Sequence, residues 1–164
     1  MSRNQFLVIR PAVRGEGGLI LEFIRGLAEY EKLAHEVVAT EEILERTLFN
    51  DNPVAEVIIA EWAGKPAGFA LFFPNYSTFL ARPGIYLEDL YVHPEFRDKG
   101  IGKSLLACLA RMAVERSCGR LDWSVLDWNE PAINFYESLG AYGLDDWVQY
   151  RLDGESLKKM ALES

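Results

Sequence analysis

Arg97, Gly100 and Gly102 stand at the spacing Arg-x-x-Gly-x-Gly in the run HPEFRDKGIGKSLL, where a strand-like segment gives way to a helix-like one. Two glycines at such a junction let the backbone turn tightly and come close to a ligand. The first turn of the following helix has amide donors without intrahelical acceptors, at the positive end of the helix dipole. An anion fits there, and the guanidinium fork of Arg97 suits phosphate oxygens, so the segment reads as a pyrophosphate cradle. Spacing separates it from two other phosphate loops. Gly102-Lys103-Ser104 copies the tail of a P-loop, but the glycine needed five positions earlier is Arg97. A dinucleotide fingerprint would start at Gly100-x-Gly102, but its third glycine position holds Leu105, and the strands upstream are hairpin-like.

Other reactive residue types are sparse. Cys108 and Cys118 have no histidine or cysteine at metal-ligand spacing nearby, and two thiols make no disulfide framework. His35 and His93 lie far apart and match no triad or metal signature, so each is expected at the surface or in a loop and no metal is expected. With 25 acidic and 17 basic side chains the formal charge is −8, which opposes nucleic-acid binding and draws small cations. No apolar run approaches the roughly 20 residues that cross a bilayer. The stretch MSRNQFLVIRPAVRGEGG has too short an apolar run for a signal peptide, so a cytoplasmic protein without membrane contact is expected.

At 164 residues and 49% hydrophobic content, the chain is expected to be one domain around one core. QFLVIR at 5–10 predicts a first strand ended by Pro11. Leu19, Leu21, Phe23, Ile24, Leu27, Ala28 and Leu33 recur at helical spacing and predict a helix over 15–33. Thr40 caps a shorter helix ending near Asn50. VAEVIIAEW, a turn at Ala63-Gly64-Lys65-Pro66, and AGFALFFPNY predict a β-hairpin. Arg82-Pro83-Gly84 is expected to turn the chain into a third strand, IYLEDLYV. A core-packed helix over 101–117 follows, then a strand at 121–127, a short helix from Pro131 to Gly140, a last strand WVQYRL at 147–152 and a helical turn at 155–162. That order implies an α/β or α+β sheet of mixed direction.

The arginine-glycine spacing resembles the coenzyme A loop of the GNAT family of N-acetyltransferases. The element order from Gln5 to Met160 also matches that family. YLEDLYVHPEFRDKGIGKSLL and WNEPAINFYESLGA are similar to its spermidine/spermine (diamine) and thialysine N-acetyltransferase branch. The resemblance implies a mainly antiparallel sheet of six or seven strands flanked by helices, with a splayed central pair. It implies acetyl-coenzyme A as cosubstrate, a small cationic amine as acceptor and a homodimer; direct attack without an acyl-enzyme is expected because neither cysteine lies in a recognisable nucleophile motif.

Roles carry over one position at a time. The resemblance places the pantetheine arm along the backbone of Leu90, Tyr91 and Val92, and the pyrophosphate among Arg97, Asp98, Lys99, Gly100, Ile101, Gly102 and Lys103. Asn129 matches a position beside the cofactor arm, and by residue type is equally a helix cap. Tyr136 matches the general acid that protonates the departing thiolate; without the match, a tyrosine beside Phe135 reads as core. Glu88 is implied as the base, with Asp89 and Glu31 holding the amine. Neighbours in an unbroken strand face opposite ways, so Glu88 and Asp89 share a site only across a bulge or a gap. The chain departs from the branch at Glu137-Ser138-Leu139, where a basic pair follows the tyrosine, and in PNYSTFLARPG, expected where the acceptor enters. Exposed apolar residues such as Trp147 and Val148 would suit exchange between subunits or complete the monomer core. Two other readings are a non-catalytic acyl-coenzyme A sensor and a peptide or protein N-acetyltransferase.

Overall fold

Among the described residues, five strands form one sheet in chain order: β1 (Leu7–Pro11), β2 (Glu56–Trp62), β3 (Lys65–Ser77), β4 (Arg82–Val92) and β5 (Leu121–Trp123). The computed structural model describes residues 5–163. The first four strands pair antiparallel and β5 joins β4 in parallel. The helices are α1 (Gly17–Tyr30), α2 (Glu41–Leu48), α3 (Ile101–Glu115), α4 (Glu130–Ser138) and α5 (Gly154–Met160). The chain divides into two compact units, one ending at Leu126 and the other starting at Asp127.

In the first unit, β2 is buried over Val57–Ala60 without alternation, as in a strand covered on both faces. Val57 and Ile59 join Ile20, Phe23, Leu44 and Phe69 in the core under α1 and α2. Ile58 and Ala60, one position off, turn to the other face. The helix α3 packs on the sheet through Ile101, Leu105 and Leu109. Phe23 and Phe69, both fully buried, stack with ring centroids 5.3 Å apart and fasten α1 to β3.

Local chemistry sets several boundaries. Thr40 accepts from the Ile43 amide at 3.3 Å, as its position predicts for an N-cap. Ala63 and Gly64 both have positive φ, 49° and 78°, the geometry of a two-residue hairpin loop that follows strand twist. The start of α1 has no cap from its own segment. Glu45 of α2 reaches it instead, accepting from the Gly15 amide at 3.0 Å and the Gly17 amide at 2.7 Å. Glu45→Ala is therefore expected to cost about 1–2 kcal/mol, read as a lower urea midpoint at unchanged slope.

Several expectations are corrected. The sheet has five strands rather than six or seven: residues 147–152 form no ladder, and Trp147 and Tyr150 are 79% and 91% exposed. A strand exists only through hydrogen bonds to a neighbour, so an apolar, strand-like segment without an adjacent edge stays irregular. Arg82-Pro83-Gly84 is not a turn but the start of β4, with Ser77 opposite Arg82 and Tyr76 opposite Pro83. The reversal falls on 78–81, where Ala81 takes a φ of 51°. The strand at 121–127 shortens to Leu121–Trp123. His93 lies in the loop after β4, one of the two places expected for it, but is only 20% exposed there, with its ring 4.9 Å from that of Phe23 and its Nε2 3.6 Å from Glu22.

Candidate functional site

Beyond Val92 the chain makes a single 3-10 turn, Pro94–Phe96, whose Phe96 is buried and anchors the loop. Asp98 and Gly100 then take φ of 61° and 75°, and α3 begins at Ile101 with no side chain capping it. The amides of its first turn are the helical donors that lack intrahelical acceptors. A Cβ on Gly100 or Gly102 would meet no protein atom within 4 Å. Gly102 has no positive φ, so neither packing nor backbone strain inside the protein calls for glycine there. The open space over the helix start suits a pyrophosphate, and the residues fit coenzyme A.

This gives a clean separation of folding from binding. Gly102→Ala is expected to hold or raise stability, by up to about 1 kcal/mol, because alanine favours a helix. The same change should weaken coenzyme A binding by at least about 10-fold by filling the cradle. Thermal melts and titration calorimetry with coenzyme A read the two effects separately.

Arg97 turns back toward the end of β4. Its Nε donates to the Val92 carbonyl at 3.2 Å, and its guanidinium sits 5.3 Å from the Tyr30 ring and 5.9 Å from the Tyr91 ring. The arginine thus ties the loop to the end of β4 and to α1. Lys99 is held in a similar way, with its ammonium 5.3 Å from the Trp62 ring at the β2–β3 turn. Lys103 is exposed on the first turn of α3.

The strand β4 leaves part of one edge open. Its pairing with β5 covers Ile85–Leu87 only, so the ladder on that edge stops before Glu88. The His93 amide donates to the Ala67 carbonyl of β3 at 2.8 Å, and Tyr91 pairs opposite Phe69. By alternation the backbone groups of Tyr91 face β3, while those of Leu90 and Val92 face the open edge. An extended amide-bearing chain would find donors and acceptors there, as the resemblance expects of the pantetheine arm.

The bulge required for Glu88 and Asp89 to work together is present. Leu71 lies opposite Asp89 and the next residue, Phe72, opposite Leu87, which leaves Glu88 as the extra residue of β4. Glu88 and Asp89, with Glu31 just past the end of α1, line a cavity of about 420 Å³. Its other walls are Ile24, Leu27 and Ala28 of α1 and the segment from Leu33 to Ala39, including Glu36. Burial, with the Glu88 and Glu31 charges as smaller causes, pushes the Asp89 carboxyl up to about 6. Burial also raises Glu31. The loop PNYSTFLARPG, expected at the acceptor entrance, contributes nothing to this lining, and Phe79 at its tip is 97% exposed.

In the second unit, Asn129 is buried and caps α4, its Oδ1 accepting from the Ala132 amide at 3.4 Å. Tyr136 projects from the same helix, half-buried, with its ring 5.6 Å from that of Phe135. The structure thus gathers Glu31, Glu88 and Asp89 in one cavity, Arg97 to Lys103 at one strand-to-helix junction, and Asn129 with Tyr136 on one helix. Sequence reasoning missed Glu36, Trp62 and the 33–39 wall. Nothing local marks them, because their importance comes from neighbours distant in the chain.

Comparison with known proteins gives a consistent picture. The model of the Acetyltransferase (GNAT) family matches residues 23–141. Thialysine N-epsilon-acetyltransferase of Bos taurus is 39% identical, the match covering 95% of this chain and 98% of that protein. L-ornithine N5-acetyltransferase of Arabidopsis thaliana is 35% identical, over 94% of this chain and 88% of that protein. Among solved structures, an integron cassette protein from the mobile metagenome of V. cholerae superposes with a TM-score of 0.82 at 29% identity, covering 98% of this chain and 100% of that one.

Proposed function

Because this chain belongs to the GNAT family of acetyltransferases, we propose that it transfers the acetyl group of acetyl-coenzyme A to a primary amine of a small cationic molecule. The observation that carries the reading is the carboxylate-lined cavity at the point where β4 loses its β5 neighbour. It supports an ammonium acceptor held beside a strand edge suited to an amide-bearing arm.

The coenzyme supplies an activated thioester and a thiolate leaving group. The first turn of α3, with Gly100, Ile101, Gly102 and Lys103, offers donors to the pyrophosphate, and Asp98 and Lys99 shape the approach to it. Leu90 and Val92 offer backbone groups to the pantetheine arm, and Arg97 orders the loop. Asn129 holds α4 so that Tyr136 serves as the acid.

A protonated amine has no lone pair, so one proton must leave its nitrogen before the C–N bond forms. We place that proton on Asp89 in preference to Glu88. Its carboxyl is raised to about 6 and is ionised at neutral pH, close to the value suited to a general base. Glu88 and Glu31 then hold the ammonium. As the C–S bond breaks, the Tyr136 hydroxyl gives its proton to the sulfur, and one acetamide and one thiol result.

The exposed Trp147, Val148 and Tyr150 support a homodimer, testable by light scattering on the eluted protein. Free Cys108 and Cys118 suit a reducing cytoplasm. The chemistry is tested by following thiol release from acetyl-coenzyme A with diamines, polyamines, amino-acid amines and short peptides. Turnover on small amines is expected. Tight acetyl-coenzyme A binding with no turnover would instead describe a sensor, and turnover on peptides alone a peptide acetyltransferase.

A further inference from the structure

Both cations of the loop after β4 rest on aromatic rings, Arg97 on Tyr30 and Tyr91 and Lys99 on Trp62. Lys99 stands one residue before the Gly100 N-cap of α3, between Asp98 and Gly100, whose positive φ values set the course of the backbone on either side of it. Its ammonium ends 5.3 Å from the centre of the Trp62 indole at the β2–β3 turn. That seat is itself braced. The Phe6 ring lies 5.8 Å from the Trp62 ring, and the Phe6 carbonyl accepts from the Ala63 amide at 2.8 Å, which fastens the turn to the start of β1.

The kind of seat matters for charge. Arg10, Arg116 and Lys158 are each held by a glutamate, which neutralises them. Lys99 forms no ion pair among the described residues. A ring face attracts an ammonium through its quadrupole and brings no opposite net charge, so Lys99 is held in place with its own charge uncancelled. A lysine that swings freely loses rotamer entropy when it captures an anion, whereas a seated one has lost part of it on folding. In a chain with 25 acidic and 17 basic side chains, this leaves one fixed cation at the rim of the cradle while Arg97 is turned toward β4.

We infer that Trp62 is a positioning residue for the cofactor: it seats Lys99 so that the ammonium meets a phosphate of coenzyme A, either the pyrophosphate or the 3′-phosphate. This rests on the acetyltransferase reading above. Calorimetry with coenzyme A tests it without turnover, and urea unfolding reads the stability of each variant separately. Trp62→Leu and Lys99→Ala are each expected to weaken binding by about 3- to 10-fold. The double variant should bind no more weakly than Lys99→Ala alone, because both changes remove one contact. Trp62→Phe, which keeps a ring face and the packing of the turn, and Lys99→Arg, which keeps a cation, should stay within about 2-fold of wild type. Dephospho-coenzyme A, which retains the pyrophosphate, assigns the contact: a Trp62→Leu loss that persists places Lys99 on the pyrophosphate, and one that vanishes places it on the 3′-phosphate. Losses that add in the double variant, or a Trp62→Leu protein that binds coenzyme A as wild type does, would overturn the inference and leave acetyl transfer standing. A wild type that binds no coenzyme A would overturn the reading beneath it.

Discussion

Tyr136→Phe is expected to lower kcat by about 10²- to 10⁴-fold, the usual contribution of a positioned acid, while coenzyme A affinity changes by less than about 3-fold. Phenylalanine keeps the ring that packs beside Phe135 and loses only the hydroxyl. A phenol hydroxyl can meet the departing sulfur with a proton. Without it the thiolate leaves charged or takes a proton from water. Single-turnover rates with saturating amine separate the chemical step from product release, and calorimetry with coenzyme A checks that the site is intact. An unchanged single-turnover rate would remove Tyr136 from the mechanism.

Asp89→Asn is expected to move activity and stability in opposite directions. The wild-type carboxyl is held above its ordinary range mainly by burial, with its proton leaving near pH 6. Loss of the base should lower kcat/KM by about 100-fold and remove the rise in rate through that pH. For stability the sign follows from the folded value lying above the unfolded one. The contribution of Asp89 is fully present below the unfolded value and is lost as the pH rises through the folded one. Wild type should thus lose roughly 3 kcal/mol from this group between about pH 4 and about pH 8. Asparagine carries no charge to desolvate, so the variant should be the more stable protein at the alkaline end. Urea unfolding across that range, alongside pH–rate profiles, measures both. A variant that keeps the acidic limb would return the base role to Glu88, and one destabilised at every pH would mean that Asp89 is structural.

An unpaired edge, a bulge with two adjacent carboxylates and the start of the loop to α3 all fall along β4. The ladder to β5 ends at Leu87, the bulge falls at Glu88, and the open edge continues to Val92, where the loop to α3 begins. The bulge lies in the pairing with β3, and the opposite edge of β4 is unpaired beyond Leu87 because β5 is only three residues long. Glycine at position 102 leaves the helix start open, and Trp62 and Tyr30 steady the loop's cations.

The strand-to-helix junction at Arg97–Gly102, the Thr40 cap and the Ala63-Gly64 turn were legible in the amino-acid order, because each depends on the backbone freedom and donors of a few neighbouring residues. The amphipathic period likewise announced α1 and α3. The bulge at Glu88 was not, since a register shift is a property of two strands and β3 shares in making it. Nor was the cap that Glu45 provides across some 30 residues to Gly15 and Gly17, or the return of Arg97 to the Val92 carbonyl. The run WVQYRL at 147–152 read as a strand from its residue types, but residue types report only a preference; the ladder needs a neighbouring edge. Asp89 shows the same division. Its identity as a carboxylate lies in the chain, whereas its proton affinity comes from burial and from Glu88 and Glu31, which only folding brings beside it.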